Sequence, residues 1–283
     1  MNHVVLTALY GLAAALCWGS GDFSGGLASR RTSASSVVVA GYTLGFLVLA
    51  SLAVITREPF PRPSDLLWGS LAGIAGVLGL LAFYTALAQG KMGLAAPVSA
   101  VLTAALPVLF SAFTVGLPTV LQLGGFAIAL VAITLISQPD PSSTAKGLHS
   151  RSIGLALLAG CGFGCFFILI SRVSPNTTFG SLAVARLASV VVIVALLLVR
   201  GQRIALPLNL TPLLVLAGIL DAAGNTFFVL AAHTGRLDVA AVLASLYPAS
   251  TVLLAALLLR ERVQRLQAVG IVLVLIAIPM ISA

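Results

Sequence analysis

Apolar residues fall in blocks of about 20 along this chain, parted by short polar connections, and no block alternates at a period of two as a barrel strand would. At a rise of roughly 1.5 Å per residue, a helix of that length crosses a hydrocarbon core of about 30 Å. The pattern predicts ten membrane-spanning helices, at 4–28, 36–56, 66–89, 93–115, 118–137, 152–173, 178–199, 211–232, 237–259 and 265–282. Almost no chain is left for a soluble domain. The longest connection, 138–151, is rich in Pro, Ser and Thr and divides the spans five and five, so it reads as a linker between a first unit, 1–137, and a second, 152–283. The first apolar block lacks a basic leader segment, is too long for a signal sequence and is closed by Arg30 and Arg31; it reads as an uncleaved span.

Composition agrees with that reading. With 60% hydrophobic residues, 8% charged residues and a mean hydropathy of +1.15, the chain could not cover a water-facing surface, which excludes soluble classes. A net charge of +8 would suggest nucleic acid in a soluble chain. Here the basic residues are scattered through connections and span ends, where they set topology and meet lipid headgroups, and no nucleic-acid partner is expected. Cys17, Cys161 and Cys165 lie within spans and read as small buried thiols, so no disulfide, metal site or cofactor is expected. No Gly-x-x-x-x-Gly-Lys-Ser/Thr string is present, so any transport would be secondary or facilitative unless a partner supplies energy.

The two halves match at an offset of 145: Trp18-Gly19 with Phe163-Gly164, Ala72-Gly73-Ile74 with Ala217-Gly218-Ile219, Gly90-Lys91-Met92 with Gly235-Arg236-Leu237, and Gln122 and Gly125 with Gln267 and Gly270. Pro107 pairs with Pro248 at an offset of 141. Five spans per half is an odd number, so homologous halves insert with opposite orientation about an axis in the membrane plane. The expected fold is therefore all-α integral membrane, with ten transmembrane helices in two inverted five-helix repeats. Such repeats form two half-structures whose interface opens to one side or the other around a midplane substrate. Both termini should share one membrane side, and Lys91 and Arg236 should lie on opposite sides.

Leu16-Cys17-Trp18-Gly19-Ser20, Ala96-Pro97-Val98-Ser99, Leu106-Pro107, and above all Ser245-Leu246-Tyr247-Pro248 followed by Leu259-Arg260-Glu261-Arg262 and Gln267-Ala268-Val269-Gly270 resemble the EamA-type ten-helix transporters of the drug/metabolite transporter superfamily. The resemblance covers essentially the whole chain. It implies export of amino acids or similar small metabolites across a bacterial cytoplasmic membrane, by exchange or with protons as coupling ion, with no enzymatic activity and no required oligomer. One departure stands out: Gly116-Leu117-Pro118 replaces the Gly-Glu-Arg usual in the family's first repeat, so the acidic–basic pair kept at Glu261-Arg262 is missing there.

Charges inside spans are expensive and mark function or pairing. Arg186 lies about nine residues, or roughly 13 Å, into its span, too deep for comfortable snorkelling. It either pairs with Asp221 and caps carbonyls or grips a substrate carboxylate or phosphate with its guanidinium fork. Asp221 lies mid-span, with Asn225 one turn on, and is either a substrate or proton ligand or the partner of Arg186. The repeat counterparts of Arg186 and Asp221 are Gly41 and Gly76, so the charges break the internal symmetry. Asp22, within two turns of Arg30 and Arg31, is either solvated or paired near the surface or, with Arg186, Asp221, Asn225, Trp18, Tyr84 and Tyr247, a substrate-binding candidate. Trp18, Tyr42, Tyr84 and Tyr247 are cavity-lining or packing aromatics, whereas Tyr10 and Trp68 suit the interfacial belt. Pro97, Pro107 and Pro248 each remove a backbone donor within a span and are hinge and site-lining candidates. Glu261, among basic neighbours, is expected to form surface ion pairs.

Two other function classes bear on these residues. An ion or small-solute channel is an alternative, although no ring of charge or filter-like segment appears. Gly19-Ser20-Gly21-Asp22 matches the Gly-x-Gly-Asp string of intramembrane aspartyl proteases, but those place a Tyr-Asp span before it and carry a Pro-Ala-Leu segment that is missing here. For orientation, connections after odd-numbered spans hold ten Lys and Arg, against four after even-numbered spans, which by the positive-inside rule puts both termini outside. The resembled family is usually drawn with both inside.

Overall fold

A computed structural model describes residues 3–88, 92–138, 150–205, 207–260 and 263–283. Lys91, Lys146, Glu261 and Arg262, which carry expectations above, lie outside the described residues. Every long element among the described residues is a helix: α1 (His3–Ser29), α2 (Ala34–Ile55), α3 (Pro63–Ala88), α4 (Met92–Thr114), α5 (Val120–Ile136), α6 (Ser150–Ile170), α7 (Thr178–Val199), α8 (Thr211–Thr234), α9 (Leu237–Ala244), α10 (Tyr247–Leu258) and α11 (Arg265–Ile281). Eight segments are long and apolar enough to cross a membrane, one of them formed by α9 and α10 together, and α5 and α11 are shorter apolar helices of 17 residues each.

The ninth span is broken. Ser245 caps α9 and the chain restarts at Tyr247, with Pro248 in the first turn of α10, where its missing N–H costs nothing. Pro97 and Pro107, by contrast, sit inside a continuous α4.

Counting spans in order, connections after odd-numbered spans share one face of the bundle, the odd face, and the others share the even face. Contacts far apart in sequence agree. On the odd face the Thr32 hydroxyl donates to the Ala205 carbonyl at 2.8 Å, and on the even face Arg236 Nη2 donates to the Gly116 carbonyl at 2.7 Å. Helix packing obeys the repeat: α1 lies on α8 as α6 lies on α3, α2 on α8 as α7 on α3, and α1 on α9 and α10 as α6 on α4, while α2 with α7 and α5 with α11 pair across the axis.

The repeated sequence blocks sit at equivalent crossings. A Cβ on Gly73 would run into the Ala185 carbonyl of α7, and one on Gly218 would lie 2.8 Å from the Gly41 carbonyl of α2. Likewise a Cβ on Gly125 would lie 2.8 Å from Ile281 Cγ1, and one on Gly270 2.7 Å from Ile136 Cγ1. The matched glutamines tie off the same helix ends, with Thr119 N donating to Gln122 Oε1 and Gln264 N to Gln267 Oε1, each at 3.1 Å.

Tyr10 stacks on Phe227, with centroids 6.2 Å apart, and Trp68 packs against the core, both only partly buried. One smaller expectation is corrected. Cys165 is exposed rather than buried, lying on an outer face of α6.

Candidate functional site

The second repeat brings the intramembrane charges together. Arg186 on α7 and Asp221 on α8 face each other where Gly218 of α8 is pressed against α2: a Cβ on Gly218 would lie 2.8 Å from the Gly41 carbonyl, whereas one on Gly41 would make only ordinary contact. Arg186 Nη2 stands 2.5 Å from Asp221 Oδ2, and its guanidinium lies over the Tyr42 ring of α2, 4.2 Å from the centroid. The Arg186 side chain is 8% exposed and that of Asp221 28%, so the carboxylate, not the guanidinium, is the reachable partner. In a low-dielectric interior such a pair compensates two charges that could not be buried singly.

Around this pair lies a cavity of about 720 Å³ between the repeats. Trp18, Asp22, Tyr84, Arg186, Asp221, Asn225 and Tyr247 all line it, as does Tyr42; Pro97, Pro107 and Pro248 do not. Asp22 faces the cavity, beside Gly21, which seats α1 against Ala217 and Asp221 of α8. Asn225 is buried, and its amide donates back to the Asp221 carbonyl at 2.5 Å, closing the turn below the carboxylate.

The cavity runs from Gly26, Ser29 and Ala34 at the odd-face ends of α1 and α2 to the middle of the bundle, and no residue of the even-face connections lines it. Its inner end is aromatic. Trp18 stacks on Phe167 at 5.5 Å, and Phe167 on Phe228 at 4.2 Å. The Thr251 hydroxyl of α10 donates to the Gly19 carbonyl at 3.0 Å, fixing α10 on the first-span motif beside Trp18.

On the even face, beyond the aromatic layer, are three acidic residues that sequence reasoning did not single out. Asp65 is 1% exposed and accepts from Ser174 N and Ser174 Oγ at 3.0 Å, from Thr177 Oγ1 at 3.2 Å and from Arg62 N at 3.3 Å. Glu58 accepts from Phe179 N at 3.2 Å and Gly180 N at 3.0 Å, a carboxylate on the first turn of α7 where free N–H groups favour it. Asp238 is fully buried and paired with Arg236 at 2.7 Å; this hydrogen-bonded contact raises the Arg236 pKa. The same Arg236 reaches Gly116, so the hairpin that lacks its own acidic–basic pair is held from the other repeat. Each of these residues looks in sequence like an ordinary charge near a span end. For Asp65 and Glu58 the main partners are more than a hundred residues away, too distant for spacing to reveal, whereas the Arg236–Asp238 pair is local.

A bundle of this kind, built from two matching halves around a cavity with charged residues, is the architecture of inverted-repeat membrane transporters. The comparisons name the class: the model of the EamA-like transporter family matches residues 5–138 and again residues 150–283, so the chain belongs to that family and is a transporter of the drug/metabolite transporter type. A solved structure titled "Crystal structure of protein" is similar to it, with a TM-score of 0.72 and 18% identity over 98% of each chain, a likeness of fold. No curated protein matches the chain. The protein is thus an integral, multi-pass membrane protein whose partners are its lipids and a small-molecule substrate.

Proposed function

We propose that this protein is a secondary transporter that exports amino acids or similar small metabolites across a bacterial cytoplasmic membrane by alternating access. The reading rests on the cavity of about 720 Å³ holding Asp22, Arg186 and Asp221 between the repeats, a volume in the range of sites that enclose a small molecule. Its reach to the odd face alone favours a carrier over a channel, which needs a continuous pore. The repeat symmetry supplies the alternative state, in which the even face opens and the odd face closes. The working unit in this reading is one chain with no cofactor, and protons are the candidate coupling ion. Arg186 and Asp221 act as a paired unit that shapes the site, while Trp18, Asp22, Tyr84, Asn225 and Tyr247 meet the substrate. Pro248, at the break between α9 and α10, is the hinge; Pro97 and Pro107 are secondary hinge candidates in α4.

The test is a metabolite screen for binding-induced thermal stabilisation of purified protein, followed by flux of each hit into proteoliposomes. Flux that saturates with substrate, and is accelerated by substrate on the opposite side, is the expected result. Non-saturating flux with measurable conductance would instead make the protein a channel.

A further inference from the structure

We propose that the cavity recognises its substrate as an organic cation, with Asp22 as the ammonium-binding residue. This rests on the transporter reading above and narrows its substrate, among amino acids and similar small metabolites, to those that carry a net positive charge. Three charged side chains are among the described lining residues: Asp22, Arg186 and Asp221. Arg186 is already engaged by Asp221 and by the Tyr42 ring and is almost fully buried, so it offers little to a substrate carboxylate. Asp22 is exposed to the cavity and has no ion pair or hydrogen bond among the described residues. With the other two charges cancelling, the site carries one carboxylate in excess. Set among mostly aromatic and aliphatic walls, that carboxylate is best compensated by a proton or a cation.

The walls suit the second. Trp18, Tyr84, Tyr247, Phe83 and Phe163 line the same space, and aromatic faces attract ammonium groups and pack the apolar body of an amine. No second cation stands among the described lining residues to receive a substrate carboxylate. Binding is then an exchange at Asp22: its carboxylic O–H bond breaks, the proton leaves to solvent, and the carboxylate accepts the substrate's R–NH₃⁺. The charged and titratable groups around that exchange are Asp221 of α8, Arg186 of α7, Tyr42 of α2, Tyr84 of α3 and Tyr247 of α10.

A matched series tests it by calorimetry on the purified full chain: phenethylamine, phenylalanine methyl ester, phenylalanine and N-acetylphenylalanine. The two cations should bind at least about tenfold more tightly than the zwitterion, since one uncompensated charge separates them, and the anion should not bind. Binding of the amines should release a proton, read as a dependence of the heat on buffer ionisation. Asp22→Asn should remove both the preference and the proton release, and Asp22→Glu should keep them, with unfolding temperatures showing that each variant is folded. Equal affinity for phenylalanine and phenethylamine, or an unchanged preference in folded Asp22→Asn, overturns the assignment. Absence of binding by either cation also overturns it, while saturable flux of any other metabolite would leave the transporter reading standing.

Discussion

Gly73 and Gly218 are equivalent in the two repeats and serve the same purpose, whereas Gly41 and Arg186 are equivalent and do not. At the first pair a helix backbone meets a carbonyl of the other half, α3 of the first on α7 of the second and α8 of the second on α2 of the first. At the second pair, one residue along from that same crossing, one half keeps the close contact and the other projects a guanidinium onto a carboxylate. Asp221 and Asn225 likewise stand opposite Gly76 and Leu80, and Asp22 opposite Phe167. Internal symmetry in this protein belongs to backbone packing. The polar groups of the cavity are departures from it, so each half of the site is built from a different repeat.

If that division holds, the two crossings should fail alike. Gly73→Leu and Gly218→Leu each force a side chain into a backbone contact, and each should destabilise the protein by about 3 kcal/mol or abolish folding. Thermal unfolding in one detergent measures both. A large loss at one with tolerance at the other would break the equivalence. The faces should differ more gently. Asp65 gathers its donors with a charge on the even face, while on the odd face the equivalent connections are joined through neutral groups, with Ala205 N donating to Ser36 Oγ at 3.0 Å. Asp65→Ala should cost about 2 kcal/mol and Ser36→Ala about 1 kcal/mol, since hydrogen bonds to a charged acceptor are the stronger kind. Chemical or thermal denaturation of the two variants, side by side, checks the order.

Much of this was legible in the chain because bilayer thickness leaves little freedom. Blocks of apolar residues had to be helices, an odd number of spans per half had to invert the second, and two opposite charges deep in neighbouring spans had few partners but each other. The matched blocks around Gly73, Gly218, Gln122 and Gln267 turned out to be crossings and helix ends, where backbone geometry permits few residues. Less could be read where side-chain direction decides. Asp22 sits near Arg30 and Arg31 in sequence but faces the cavity, beside Gly21, which seats α1 on α8. Pro248 marks a break and Pro97 and Pro107 do not, a difference that the proline alone does not signal. Asp65 finds its donors more than a hundred residues away, a tertiary fact with no local signature.

The central claim is that Arg186 and Asp221 form one electrostatic unit at the cavity of the second repeat. A double-mutant cycle on unfolding free energy tests it directly, using Arg186→Ala, Asp221→Ala and the double variant. Arg186→Ala should cost about 3 kcal/mol by leaving a partly buried carboxylate uncompensated, and the double variant should cost less than the sum of the singles by more than about 1 kcal/mol. Single effects that simply add would contradict the account and leave Arg186 in need of another partner.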